Sequence, residues 1–97
     1  MSGEIGTVRA RVQVEGDEYT LDTAVAAEVR AEIARHLEIT VTSLAERLGC
    51  SRVSMSRRIN GHRPFSAADL DRIAVLMGLR ASDLVVRAER ALGERAA

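Results

Sequence analysis

The chain carries two hydrophobic periods in succession. Over residues 7–15 apolar and polar side chains alternate, with Val8, Ala10, Val12 and Val14 on one face and Arg9, Arg11 and Gln13 on the other, which is the period of a strand. Gly16-Asp17 supplies a two-residue type II′ turn that would set Val14 opposite Tyr19 and Val12 opposite Leu21. A β-strand or β-hairpin extension is therefore expected over residues 1–21, with Glu15 facing Glu18 as a mild mismatch. A lone hairpin is barely stable in water, so its apolar face must lie on a helical core or on a partner.

From residue 22 the period becomes helical. A first helix is predicted over residues 23–37, capped by Asp22, with Val25, Val29, Ile33 and Leu37 as an i, i+4 stripe and Glu28, Arg30, Glu32 and Arg35 toward water. His36 near its end reads as a surface residue. A second helix over residues 41–48 is capped by Thr40, carries Leu44, Ala45 and Leu48 on one face, and is ended by Gly49. Ser51 caps a third over residues 52–60, whose apolar pair is Met55 and Ile59. Pro64 keeps the next stretch out of a helix, and Phe65 is expected to plug the core. Ser66 and Asp69 form a capping-box pair for a fourth helix burying Leu70, Ile73, Ala74 and Met77 and stopping at Gly78. A fifth, capped by Ser82, spans residues 83–92. Its Leu84 and Val85 complete the domain, and Ala88 and Leu92 form either a dimer stripe or a half-buried last turn. The expected architecture is mainly α, a five-helix domain over residues 22–92 with an N-terminal strand extension and a short tail over residues 93–97.

Composition narrows this to one small domain with an aliphatic core: 97 residues, 46% hydrophobic, with one Phe, one Tyr and no Trp. One cysteine excludes an intramolecular disulfide and fits a reducing cytoplasm. No stretch approaches the length of a membrane helix, and no signal-peptide core opens the chain.

Charge changes the picture more. The formal net charge is zero, but residues 1–46 hold four arginines and nine acids, a net −5, whereas residues 47–63 hold Arg47, Arg52, Arg57, Arg58 and Arg63 and no acid, a net +5. Residues 64–97 hold five of each. The positive field is concentrated on the second and third helices. Those two helices, separated by Gly49-Cys50-Ser51 alone, must cross steeply, with Ala45 as the small residue at the crossing. A compact helix pair whose outer helix is basic and rich in hydroxyls is what a DNA major groove accepts.

The run from Thr40 to Gly61 resembles the helix-turn-helix of the lambda-repressor-like family (Cro/repressor-type, XRE-like). The shared features are Leu44-Ala45, Gly49, Ser51 and Asn60-Gly61, then a basic dipeptide, Pro64 and Ser66 opening the fourth helix, and Leu70, Ile73, Ala74 and Gly78 within it. The resemblance covers roughly residues 21–84, with the helix-turn-helix proper at residues 40–61. It implies a sequence-specific binder of double-stranded DNA, a transcriptional regulator expected to repress by promoter occlusion. A temperate-phage Cro or immunity repressor has this economy, since 97 residues leave no room for a separate effector domain. It implies base contacts from Arg52, Val53, Ser56 and Arg57. An arginine can fork onto guanine O6 and N7, and Val53 can pack on a thymine methyl. Phosphate contacts are expected from Thr40, Thr42, Ser51, Ser54, Arg58, Asn60, His62 and Arg63, fixing register without reading sequence. A homodimer on a two-fold operator is expected, through the N-terminal strand or the fifth helix.

Two positions depart from the family pattern. Val41 stands where a bracing Gln is common, and Arg58 stands where a large apolar residue is common, so Arg58 is expected to turn outward to the DNA backbone.

Other chemistry finds little support. No glycine-rich phosphate loop follows a strand, and two separated histidines with one cysteine are too few for a metal site. Cys50 reads as a core thiol. No enzyme activity, cofactor, metal, small-molecule ligand or membrane partner is expected, and the protein should act in the cytoplasm of a bacterial or phage-infected cell. The alternative is an antitoxin-like or adaptor module in which the N-terminal strand or fifth helix captures a protein and DNA binding is secondary.

Overall fold

A computed structural model of the protein describes residues 19–96. Five helices follow one another: α1 Leu21–Arg35, α2 Val41–Leu48, α3 Arg52–Ile59, α4 Ala67–Leu76 and α5 Ala81–Ala96. The second has the expected limits and the third starts where expected and ends one residue early, with Asn60 as its C-cap, because each is set at both ends by local chemistry. Thr40 accepts the Ser43 amide and the Ser43 hydroxyl accepts the Thr40 amide, a reciprocal cap. At the other end Gly49 takes φ 73°, the Cys50 amide reaches the Ala45 carbonyl at 3.0 Å and the Gly49 amide the Glu46 carbonyl at 3.3 Å. That pair of bonds is the Schellman closure, which needs a left-handed residue. Helices α3 and α4 close in the same way at Gly61 and Gly78.

The core takes one large, fully buried side chain from each helix: Val29, Leu44, Met55, Ile73 and Leu84. Burying such a side chain contributes about 1.5–3 kcal/mol, and Ala24, Ala45, Ala74 and Ala88 let the backbones approach between them. The core is aliphatic as expected, with Phe65 half-buried against its edge. Helix α1 packs on α5 and α3, α2 on α3 and α4, and α4 on α5.

Several expectations are corrected. The described residues contain no β-strand. The proposed strand over residues 7–15 and its turn lie outside them, but the proposed partner of Val12, Leu21, is the first residue of α1. Thr20, not Asp22, is the N-cap, because Thr20 and Thr23 satisfy each other's amides, and Asp22 falls in the first turn where its charge suits the helix dipole. Helix α1 also ends two residues early. His36 is extended, its amide on the Ile33 carbonyl, and Leu37 is swung out to 95% exposure instead of completing the stripe. Glu32, expected in water, is 5% exposed. Its carboxylate accepts Arg87 of α5 at 2.7 Å, His36 at 3.1 Å and also Arg35. Finally α5 begins at Ala81, so Ser82 lies inside it. The Asp83 carboxylate accepts the Arg80 amide at 2.9 Å instead. Ala88 is a core residue and Leu92 is half-buried.

Candidate nucleic-acid interface

Helix α3 holds Met55 and Ile59 in the core. The opposite side of a 3.6-residue helix then carries residues 53, 56, 57 and 60 as an i, i+3, i+4, i+7 stripe. Val53 is 69% exposed, a large apolar surface for water to cover, and Arg57 and Asn60 are exposed beside it. Ser56 is half-buried and its hydroxyl accepts the Asn60 amide group at 3.3 Å, which orients that side chain along the stripe. Arg52 is exposed at the N-terminal edge. The four residues singled out as base readers thus share the outward part of one helix.

The backbone-contact candidates lie around this helix. Thr40 and Ser51 are exposed caps whose oxygens accept the Ser43 and Ser54 amides at 3.0 Å each. Their own hydroxyl protons remain available for a phosphate oxygen. Thr42 is exposed on the first turn of α2, Ser54 is half-buried, and His62 and Arg63 are exposed on the linker after α3. Helices α2 and α3 have no acid in their first turns, whereas α1, α4 and α5 carry Asp22, Asp69 and Asp83 there. The positive ends of these two helices are left for an outside anion, the arrangement that suits phosphate.

Arg58 is placed differently from the rest. Its expected outward turn is not taken: the side chain is 17% exposed, with Nε 3.9 Å from the Asp69 carboxylate and Nη1 donating to the Cys50 sulfur at 3.4 Å. By contrast Arg47, Arg52, Arg57 and Arg63 form no ion pair among the described residues and retain their charge for a partner.

Two further arginines were not legible as part of this unit. Arg30 of α1 donates to the Ile59 carbonyl at 2.6 Å, and Arg72 of α4 to the Leu48 carbonyl at 3.5 Å. Each places a cation at the negative end of one helix of the pair. Only the tertiary approach of α1 to α3, and of α4 to α2, brings them there. Among the described residues no three His, Cys, Asp or Glu side chains are grouped to hold a metal, and no helix is long and apolar enough to cross a membrane.

Residues 31–89 match the model of the Cro/C1-type helix-turn-helix DNA-binding domain. Two crystal structures of the clp gene regulator ClgR from Corynebacterium glutamicum share the fold. One is 23% identical, with a TM-score of 0.71 over 79% of this chain and 81% of that one. The other is 24% identical, with a TM-score of 0.66 over 76% of this chain and 95% of that one. No curated protein sequence matches the chain.

Proposed function

We propose that this chain, which belongs to the Cro/C1-type helix-turn-helix DNA-binding family, is a sequence-specific transcriptional regulator that lays α3 in the major groove and represses by occluding a promoter. The observation that carries the reading is the outward stripe of Val53, Ser56, Arg57 and Asn60 on a helix whose start has no acid, with Arg47, Arg52, Arg57 and Arg63 forming no ion pair among the described residues. Arg52 and Arg57 fork onto guanine, Val53 packs on a thymine methyl, and Ser56 donates to a base edge. Thr40, Thr42, Ser51, Ser54, Asn60, His62 and Arg63 hold phosphates on either side. The chain binds as a homodimer and acts without cofactor or catalysis.

Selection of bound duplexes from a randomised pool at near-physiological salt tests the reading. An enriched inverted repeat with half-sites about 10 base pairs apart identifies a dimeric reader. One asymmetric site keeps the reader and removes the dimer, and no enrichment overturns sequence-specific reading. Promoter occlusion is tested by transcription in vitro with the selected site placed over or upstream of the start. Repression from the first position alone is expected, and unchanged or raised transcription from it excludes occlusion.

A further inference from the structure

We infer that Arg58 is a positioning residue, one that staples the end of the recognition helix to the start of α4 through Asp69 and does not hold a phosphate. The inference rests on the reading of α3 as the recognition helix. The α3 and α4 backbones do not pack against each other, since α3 lies on α2 and α1 while α4 lies on α2 and α5. Between them runs the linker of residues 61–66, which carries the exposed His62 and Arg63. The Arg58–Asp69 pair, 3.9 Å long with side chains 17% and 20% exposed, spans that linker from the last turn of α3 to the first turn of α4.

Each partner makes a second contact, and on Asp69 both fall on the same oxygen, Oδ2. The Arg58 Nη1 also donates to the Cys50 sulfur at 3.4 Å, in the turn that precedes the Ser51 cap, so one guanidinium addresses both ends of the recognition helix. The Asp69 carboxylate accepts the Ser66 amide at 3.2 Å as part of the α4 cap. The rigid guanidinium plane lets Nη1 donate to the sulfur while Nε keeps its charge 3.9 Å from the carboxylate, an ion pair and not a hydrogen bond, which an ammonium on a flexible stem holds poorly. Adjacent arginines therefore have opposite tasks: Arg57 faces outward and is unpaired among the described residues, and Arg58 fixes the frame that presents it.

The test compares Arg58→Lys, which keeps the cation and loses the fork, with Asp69→Asn, which keeps an acceptor for the Ser66 amide and loses the charge. The probes are the duplex that the wild-type chain selects and a scrambled duplex of equal length, with urea unfolding to confirm that each variant is folded. As a staple, each substitution lowers the ratio of selected to scrambled affinity about two- to fivefold, the range of a single weak ion pair. The double variant is then no worse than the poorer single one, and the salt dependence is unchanged. The inference is overturned if Arg58→Lys behaves as wild type while Asp69→Asn tightens binding to both duplexes, because a phosphate-bound Arg58 would be freed by losing its acid. Amide hydrogen exchange without DNA separates this from the functional reading. Faster exchange at Gly61 and His62, whose amides are bonded to the Arg58 and Arg57 carbonyls, in Asp69→Asn supports the staple even where the wild type selects no duplex. Unchanged exchange there removes it.

Discussion

Arg30, on the first helix, donates its Nη1 to the carbonyl of Ile59, the last residue of α3, at 2.6 Å. The bond crosses from α1 to the end of α3, the helix proposed to enter the groove. It meets an orphan carbonyl at the negative end of the dipole with a permanent cation. Replacing Arg30 with Met keeps the stem and removes the donor. The expected loss is about 1 kcal/mol of unfolding free energy, between a neutral and a fully charge-assisted bond because the arginine is exposed. Urea unfolding measures it, and a variant as stable as wild type would show that water serves that carbonyl equally well.

Glu32 gives the stability a pH dependence with a definite sign. Burial works against its charged form, but the hydrogen bonds from Arg87, His36 and Arg35 outweigh that and hold the carboxyl below the ordinary glutamate range. Glu38 also lies near this cluster, 3.8 Å from His36. A carboxyl with a depressed folded pKa stabilises the fold above its unfolded value and loses that contribution as pH falls through the folded one. Glu32→Gln should therefore flatten the acid limb of a stability–pH curve below about pH 4.5, the ordinary glutamate range. At neutral pH it should cost about 2 kcal/mol, since Arg87 is left facing a neutral group while remaining partly in water. An acid limb identical to wild type would mean that other carboxylates dominate it.

Gly61 closes α3 at φ 83°, and an added Cβ would sit 3.5 Å from Thr23 Cγ2, an ordinary contact. Gly49 has φ 73° and open space around it. The cost of alanine at either position is then the left-handed backbone alone, about 1–2 kcal/mol. The two variants should be destabilised alike in urea. A much larger effect at Gly61 would show that the contact with α1 is tighter than this geometry.

Arg57 and Arg63 should differ in kind. Arg57→Ala is expected to cost about 1–3 kcal/mol on the selected duplex and little on a scrambled one, as a base contact does. Arg63→Ala should weaken both alike and lower the salt slope by about one, as a phosphate contact does. Titrations at several salt concentrations separate the two, and equal losses on both duplexes for Arg57→Ala would take that residue off the base edges.

The helix pair was legible in the linear chain because its limits are set within a few residues. Thr40 with Ser43, Gly49, Ser51 with Ser54 and Asn60-Gly61 each act on backbone groups three to five positions away. The 3.6-residue period likewise placed Leu44, Met55 and Ile73 in the core and Arg57 and Val53 outside it.

What depended on distant partners could not be read that way. Glu32 looks solvent-facing on its own helix and is buried because Arg87, 55 residues later, arrives to pair with it. Leu37 continues a perfect apolar stripe, yet the helix stops before it. Arg58 belongs to a basic run by sequence and to an ion pair by structure. Local hydrogen bonds and periodicity are properties of neighbouring residues, so the sequence alone determined the helix pair and its outward face. Desolvation and the pairing of buried charge depend on which helices meet, so only the tertiary structure decided which arginines face outward and which hold the frame.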